Sequence, residues 1–353
     1  MTESPPFVPT PLPPPDGRRR VLVLHTGGTI GMVASPGGYR PAAGFPERLR
    51  SALQATGSHG LPAFDVLELD PIDSAELRPS DWTAMARALV NHWDRYDGFV
   101  VLHGTDTMAW SASALSFLLR GLDKPVIFTG SQIPMGQARS DGLANVESAL
   151  LLAAMPELRE VGLCFGRRLL RGNRARKLAT AQFDAFDSPN ALPLAELGID
   201  IHLHRDRLWT GTEPRRFAVP AFDDEAVAVL ALHPGVSAGA VDALVAQPRV
   251  RGLVLHSYGA GNVPANDRGF MAALERAAAR GVVLVNVTQC LQGSVQQGAY
   301  ATGTALGALG AVPAGDMTPE AAFAKLHVLL ASTADTGEVR RGMGESWCGE
   351  MGS

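Results

Sequence analysis

Two short loops combine a threonine hydroxyl with glycines, a pattern suited to attack on a carbonyl group. Thr26 precedes a pair of glycines, and Thr105 stands between a glycine and Asp106. Glycines let the backbone approach a ligand closely, and a hydroxyl becomes a nucleophile when a neighbouring group takes its proton. The Asp106 carboxylate is suited to bind a substrate ammonium. For the first loop, a plain strand-to-helix turn with a capping threonine is the alternative.

The rarity of lysine singles out one further residue. Of the 31 lysines and arginines only Lys124, Lys177 and Lys325 are lysines, and Lys177 directly follows an arginine-rich segment. A guanidinium stays protonated in proteins, whereas a lysine can exchange a proton. Lys177 is therefore a candidate for proton chemistry. A solvated basic face is the alternative, and a phosphate or RNA patch is a third reading, which the net charge of -4 disfavours.

A rival nucleophile stands later in the chain. Residues 235–239 fit the GxSxG pattern of a serine-hydrolase elbow, with Ser237 at the centre and His256 and His327 downstream as partners. Ser237 equally suits the N-cap of a following helix. His103 has no partner at a metal-ligand spacing, so we expect a structural histidine there and no metal site.

Buried strands must position these loops. Apolar runs at residues 21–24, 99–102 and 125–128 are followed by loops that contain Thr26, Thr105 and Ser131. Continuous apolar runs are typical of strands buried on both faces of a parallel sheet. Ligands of such sheets bind beyond the carboxyl ends of the strands, so we expect the three loops to gather at one edge.

Helical patterns alternate with these strands. The spacing of Trp82, Met85, Leu89 and Trp93 predicts a helix capped by Ser80. Further helices are predicted over residues 111–122 and 145–155. Alternation of strands and helices predicts an α/β fold.

The chain of 353 residues is long enough for two domains. We expect residues 1–18, which are rich in proline, to form a disordered tail, and residues 19–205 to form a larger N-terminal catalytic α/β domain. Residues 206–224 are a predicted linker, and residues 225–353 a smaller C-terminal α/β domain. In this second domain strands are predicted over residues 227–232, 252–255 and 282–287, and helices over residues 241–246, 269–279 and 321–330.

Composition narrows the class of function. A net charge of -4 lacks the basic excess of a nucleic-acid binder, and no apolar run approaches the ~18 residues of a membrane helix. We therefore expect neither nucleic acid nor membrane as a partner. The three cysteines are far apart in the sequence. The N-terminus lacks the basic segment followed by an apolar segment that is typical of a signal peptide. These features favour a cytoplasmic protein with reduced thiols.

Taken together, the two threonine loops resemble the signature motifs of the bacterial-type L-asparaginase family. They read TGGTIG at 26–31 and HGTDTM at 103–108. Further similar segments are GYRP at 38–41, DSAEL at 73–77, TGSQIP at 129–134, RGNRARK at 171–177, HSYGAGN at 256–262 and NVTQC at 286–290. The resemblance covers roughly residues 20–340. The sequences of its motifs are similar to those of the cytoplasmic, type I branch.

This resemblance implies a two-domain asparaginase-like α/β fold, with a larger N-terminal parallel-sheet domain and a smaller C-terminal domain. It implies hydrolysis of L-asparagine to aspartate and ammonia through a threonine nucleophile and an acyl-enzyme, by a homodimer or dimer of dimers, with no cofactor. The implied catalytic residues are Thr26 as nucleophile, Tyr39 on a mobile loop as its activating neighbour, and Thr105, Asp106 and Lys177 as a second triad. The implied substrate-binding residues are Asp73, Ser74, Thr105 and Asp106, with Ser74 at the α-carboxylate and Asp106 at the α-ammonium.

Two positions depart from the family pattern, and other functions stay open. Ala75 stands where relatives often have a polar residue, and His256 stands where type I relatives can carry an arginine of an allosteric asparagine pocket. The glutamine-hydrolysing subunit of a tRNA-dependent amidotransferase shares both motifs, but it carries an additional N-terminal domain for which an 18-residue tail is too short. A serine hydrolase that uses Ser237 on esters and a non-catalytic ligand-binding protein are the remaining alternatives.

Overall fold

The computed structural model describes residues 19–57, 60–211, 214–296 and 301–352. The expected disordered tail, residues 1–18, lies outside the described residues. Within the described ranges, no helix is both long enough and apolar enough to cross a membrane.

Strands and helices alternate along the chain, as an α/β fold requires. The strands are β1 (Arg20–Gly27), β2 (Met32–Ser35), β3 (Gly38–Pro41), β4 (Ala63–Ile72), β5 (Gly98–Leu102), β6 (Leu119–Arg120), β7 (Val126–Thr129), β8 (Val161–Phe165), β9 (Arg168–Arg171), β10 (Arg176–Lys177), β11 (Phe186–Asp187), β12 (Ala195–Leu197), β13 (Ile201–Leu203), β14 (Arg216–Phe217), β15 (Val227–Ala231), β16 (Gly252–Ser257), β17 (Val283–Thr288) and β18 (Val312–Pro313). The helices are α1 (Phe45–Ala55), α2 (Pro79–His92), α3 (Met108–Leu118), α4 (Gly142–Ala153), α5 (Ala238–Val245), α6 (Arg268–Ala279), α7 (Ala301–Ala308), α8 (Pro319–Ser332) and α9 (Thr336–Gly344).

The larger sheet carries the threonine loops. Its strand order is β13-β12-β9-β8-β7-β5-β1-β4. Five neighbouring strands of this sheet are parallel, namely β4, β1, β5, β7 and β8. The strands predicted at 21–24, 99–102 and 125–128 are confirmed as β1, β5 and β7. Because β1, β5 and β7 run in the same direction, the loops that follow them lie at one edge of the sheet.

The larger sheet, predicted as parallel, is parallel through five strands and becomes mixed beyond β8. Strands β9, β12 and β13 are antiparallel to their neighbours. Only Gly166 and Arg167 separate β8 from β9, and Gly166 has a φ of 61°. So short a connection permits an antiparallel hairpin but no parallel crossover.

The C-terminal domain contains a parallel sheet with helices on both faces. Its strand order is β15-β16-β17-β18, which confirms the three strands predicted there. Leu253 and Leu255 of β16 pack in a cluster with residues of α5 and α6, while Val254 packs in a cluster with residues of α8. The alternation follows the two-residue period of a strand.

The two sheets share a continuous apolar core through helices α3 and α8. Every residue of α3 except Trp110 is buried, and residues of α3, α8, β16 and β17 belong to one hydrophobic cluster. The predicted linker, residues 206–224, overlaps a 3₁₀ turn (Arg205–Arg207) and contains strand β14, which pairs with β6. The domain boundaries themselves, at residues 205 and 225, stay predictions.

Two predicted helix boundaries are wrong for identifiable reasons. Helix α2 begins at Pro79, and the Asp81 carboxylate accepts a hydrogen bond from the backbone N–H of Arg78, the N-cap residue. Ser80 does not cap the helix, because both its backbone N–H and its hydroxyl donate to Asp224. Helix α3 ends at Leu118 and not at 122, because β6 pairs with β14.

Candidate active site

Glycine contacts bring three loops together beyond the carboxyl ends of β1, β4 and β5. Gly28 has a φ of 86°, and a Cβ there would lie 2.4 Å from the backbone N of Gly104. A Cβ on Gly104 would in turn lie 2.4 Å from Oγ of Ser74. Real atoms cannot approach so closely, so both positions require glycine. The Thr107 hydroxyl also donates to the Ser74 carbonyl (2.8 Å), which ties the second loop to the third.

Thr26 lies at the centre of this arrangement. It is only 3% exposed, and its hydroxyl donates to the carbonyl of Leu102, the last residue of β5, over 3.0 Å. Gly27 follows with a φ of 111°, where a Cβ would lie 2.3 Å from the Ile72 carbonyl oxygen. The nucleophile candidate is therefore held against neighbouring strands by a turn that only glycine can form.

Thr105, Asp106 and Lys177 form a direct cluster. Nζ of Lys177 donates to Oγ1 of Thr105 over 2.8 Å and to Oδ1 of Asp106 over 2.6 Å. Thr105 is buried, whereas the Asp106 side chain is 62% exposed. One Asp106 oxygen thus holds the lysine while the side chain still faces solvent, where a ligand can reach it.

Gln132 completes this cluster, and the sequence reasoning did not single it out. The Thr105 hydroxyl donates to Oε1 of Gln132 over 3.4 Å, and Nε2 of Gln132 donates to the carbonyls of Thr180 and Gln182. The Asp141 carboxylate accepts from the Gln132 backbone N–H. The TGSQIP segment was the available signal, since Gln132 is its one amide side chain.

The segment that carries Lys177 is anchored by ion pairs rather than spread over a solvated basic face. The arginines just before Lys177 pair as Arg168 with Asp187, Arg171 with Glu160, Arg174 with Asp316, and Arg176 with Glu320. Asp316 and Glu320 belong to the C-terminal domain. The basic-face reading is therefore wrong for these four arginines, and the C-terminal domain helps to position the lysine.

Asp73 and Ser74 lie in the third loop, at the start of a 3₁₀ turn. The Asp73 carboxylate accepts from the backbone N–H of Ala75 and caps this turn, and its side chain is exposed. Ser74 is buried against Gly104. Ser74 thus lies beside the loop of Thr105, whereas the capping bond occupies one oxygen of Asp73.

Tyr39 lies apart from the cluster. It belongs to the hairpin formed by β2 and β3, where it pairs with Ala34, and it is 54% exposed. Its hydroxyl makes no hydrogen bond with Thr26, whose own hydroxyl is bonded to Leu102. The structure therefore places the predicted activating residue on an exposed hairpin and does not bring it into contact with the nucleophile.

Two buried histidines stand at the start of the two threonine loops, before Thr26 and before Thr105. The Nδ1–H of His103 donates to the Gly104 carbonyl over 2.7 Å, and its Nε2 accepts from the Ser111 hydroxyl over 2.9 Å. Burial lowers the pKa of His103 to about 4. This confirms the predicted structural role. His25 stacks on Phe45 with ring centroids 3.9 Å apart, and burial lowers its pKa despite its contact with Glu68.

The rival nucleophile has no catalytic partner in this structure. Ser237 is exposed and precedes α5 as its N-cap residue, although its side chain makes no capping hydrogen bond. It makes no hydrogen bond with His256 or His327. His327 is buried among aromatic rings, and burial lowers its pKa to about 4. The geometry therefore gives no support to the serine-hydrolase reading.

In the described parts of the chain, no group of three or more His, Cys, Asp or Glu side chains is arranged to hold a metal ion.

Comparison with known proteins finds a matching family model for each of the two domains. Residues 20–209 match the family model described as asparaginase, N-terminal, and residues 226–343 match that of the glutaminase/asparaginase C-terminal domain. L-asparaginase 1 of Escherichia coli (strain K12) is 44% identical over 338 residues, which cover 95% of this chain and 98% of that protein.

Two further relatives extend the comparison. The crystal structure of L-asparaginase I from Vibrio cholerae superposes with a TM-score of 0.85 at 42% identity and covers 96% of this chain and 100% of that chain. The 60 kDa lysophospholipase of Homo sapiens is 39% identical over 344 residues, which cover 92% of this chain and 60% of that protein.

Proposed function

The chain belongs to the asparaginase family and is a hydrolase acting on an amide bond, and on that premise we propose that it hydrolyses L-asparagine to aspartate and ammonia with Thr26 as the nucleophile. The observation that carries this proposal is the contact of Gly28 with Gly104. That contact sets the loop of Thr26 directly against the loop of Thr105 and Asp106.

The reaction we propose has two steps. Oγ1 of Thr26 attacks the side-chain carboxamide carbon, the C–N bond breaks, and ammonia leaves with the proton that the hydroxyl gives up. Water then attacks the resulting threonine ester, which releases aspartate and restores the hydroxyl. An amide is a poor electrophile, so backbone N–H groups of the glycine turns are needed to stabilise the oxyanion.

Proton transfer falls to the cluster around Lys177. The chain Asp106–Lys177–Thr105 is hydrogen-bonded throughout, and Gln132 fixes the far side of the Thr105 hydroxyl. Such a chain can pass a proton to the leaving ammonia and take one from the attacking water. Tyr39 acts on Thr26 only after its hairpin closes over the site, because in this structure the side chain is exposed.

The substrate is held by its α-amino and α-carboxylate groups. We assign the α-ammonium to Asp106, whose side chain is largely exposed. We assign the α-carboxylate to the loop of Asp73 and Ser74, which abuts Gly104. Thr105, between these groups, contacts the carboxamide end.

We also propose that the enzyme works in the cytoplasm as a homodimer or a dimer of dimers. The support is the similarity to L-asparaginase 1 of Escherichia coli over nearly the whole length of both chains. Light scattering of the purified protein during size-exclusion chromatography tests the oligomeric state, and a monomer would contradict it.

Ammonia and acid release from three substrates test the proposed activity. Purified protein is assayed with asparagine, with glutamine and with an ester of a simple carboxylic acid. We expect turnover of asparagine. Hydrolysis of glutamine alone would favour an amidotransferase-type glutaminase, hydrolysis of the ester alone would favour Ser237, and no turnover of any would favour a ligand-binding protein.

A further inference from the structure

A cavity of about 500 Å³ lies at the edge of the larger sheet opposite to the threonine loops. Its lining includes Val161, the first residue of β8, and Arg171, the last residue of the antiparallel strand β9. Thr26 and Thr105 instead stand where the parallel strands end. The cavity is therefore separate from the candidate active site.

The cavity is positively charged although the chain as a whole is negative. Its described lining contains four arginines and two carboxylates, in a chain of net charge -4. These residues are Arg120, Arg159, Arg171 and Arg215, with Asp123 and Glu160. Arginine suits phosphate and carboxylate ligands because its planar group can donate two parallel hydrogen bonds.

Both carboxylates of the lining already have protein partners. Glu160 pairs with Arg171 and also accepts from the backbone N–H of Trp209. Asp123 accepts from the indole N–H of Trp93 over 2.9 Å. Glu160 and Arg171 neutralise each other and Asp123 keeps its charge, so four arginines and two carboxylates leave the lining with a net charge of +2.

Two of these arginines can reach a ligand from the rim. The Arg215 side chain is 44% exposed, and its contact with Asp94 is long, 3.4 Å, with an Asp94 side chain that is 85% exposed. An exposed pair of this kind contributes little and is easily exchanged for a ligand. Arg159 is likewise exposed and immediately precedes Glu160.

Indole rings give the cavity a flat apolar wall. Trp209 lines it and is 36% exposed, so part of its ring surface is open. Trp347 lines another side, with the Arg120 guanidinium 4.2 Å from its ring centroid. Indole faces stack with planar rings, and a stacked base contributes ~1–3 kcal/mol in nucleic-acid binding proteins.

We propose that this cavity binds a small anion carrying a planar ring, of the nucleoside monophosphate class. Arg159 and Arg215 hold the phosphate, and the ring stacks on Trp209. The volume lies within the ~300–1,000 Å³ of small-molecule sites, whereas inorganic phosphate alone would leave most of it empty. The described lining of the cavity contains no glycine-rich phosphate loop. A search of the sequence for nucleotide-binding motifs would therefore not find this site.

Calorimetric titration with adenosine 5′-monophosphate tests the proposal independently of asparagine hydrolysis. We expect binding by the wild-type protein, weakened at least ~10-fold by Arg159→Glu and by Arg215→Glu. The control is Arg280→Glu, an exposed arginine at the end of α6, which should bind as the wild type does. Thermal melting of each variant checks that the fold is retained.

Comparison ligands test the two halves of the site. Adenosine and ribose 5-phosphate should each bind at least ~10-fold more weakly than the nucleotide, because each lacks one recognised group. Absence of nucleotide binding by the wild type, or equal affinity in all variants, would overturn the proposal. Equal affinity for ribose 5-phosphate would overturn the role of the ring.

Discussion

Gly28 lies so close to the backbone of Gly104 that it cannot carry a side chain. A Cβ on Gly28 would lie 2.4 Å from the backbone N and 2.5 Å from the Cα of Gly104. Residues 26–31 and 103–108 are far apart in the sequence, yet their backbones meet here. The relative position of the two threonines therefore depends on this contact.

Replacing Gly28 by alanine should misplace the two loops. We expect Gly28→Ala to lower kcat by at least ~10²-fold, since displacements of about 1 Å have that effect on positioned groups. Gly281→Ala is a matched control, because Gly281 has the same φ of 86° but no atom near its Cβ position. The control should lose about 1–2 kcal/mol of stability for the unfavourable φ and keep its kcat. Equal kcat losses in both variants would contradict the contact's role.

Lys177→Arg should separate proton transfer from simple charge. The variant keeps the positive charge but cannot give up a proton, so we expect kcat to fall ~10²-fold while the unfolding free energy changes by less than about 1 kcal/mol. Lys124→Arg is the control, because Lys124 donates only to the carbonyls of Trp93 and Tyr96. Lys325 is unsuitable, since it is fully buried in an ion pair with Glu350. Full activity of Lys177→Arg would leave Thr105 without its base.

Asp106→Asn should weaken recognition of the substrate α-ammonium. The loss of this charge-assisted contact should remove roughly 1.5–3 kcal/mol of transition-state stabilisation. The loss is measured as a lower kcat/KM for asparagine. The analogue of asparagine that lacks the α-amino group should lose less, because for this substrate only the hydrogen bond of Asp106 with Lys177 is changed. Equal losses with both substrates would contradict the assignment of the α-ammonium to Asp106.

The buried ring of His327 should make the fold sensitive to acid. Burial lowers its pKa from 6.5 to about 4, although Asp223 and Asp224 oppose the shift. Between these values the unfolded chain binds the proton and the folded chain does not, so stability falls as the pH falls. From pH 7.5 to 5.0 this group should remove about 2 kcal/mol from the unfolding free energy.

His327→Phe should remove that sensitivity and keep the aromatic packing against Phe323, whose ring centroid lies 4.5 Å away. Urea denaturation at the two pH values measures the difference for each protein. We expect the variant to lose about 2 kcal/mol less than the wild type between pH 7.5 and 5.0. The same loss in both proteins would show that His327 titrates normally in the folded state.

Continuous apolar runs predicted the central strands β1, β5 and β7, because a strand buried on both faces has no polar alternation. The edge strand β4 was missed because it contains no continuous apolar run. In β4 acidic residues interrupt the apolar ones: Asp65 separates Phe64 from Val66, and Glu68 separates Leu67 from Leu69. The first pair packs on one core cluster and the second pair on the other. The antiparallel strands β9, β12 and β13 are short, and their positions depend on tertiary contacts that the local sequence does not encode.

Sequence reasoning singled out residues whose type is rare in this chain, and it missed residues of a common type. The scarcity of lysine singled out Lys177, which lies against Thr105 and Asp106. Gln132 gave no such signal, because an amide side chain acquires a role only through the carbonyls and hydroxyl that surround it. The position of Tyr39 depends on a hairpin conformation, which local sequence does not fix.

Ammonia release from asparagine by Thr26→Ala and Ser237→Ala tests the central claim most directly. Removal of the nucleophile should lower turnover on the order of 10³-fold or more, because covalent catalysis is lost. Ser237 is exposed and lacks a histidine partner, so its replacement should leave turnover unchanged. Melting curves of both variants confirm that they fold. Near-normal turnover by Thr26→Ala together with loss of turnover in Ser237→Ala would contradict the assignment of Thr26 as the nucleophile.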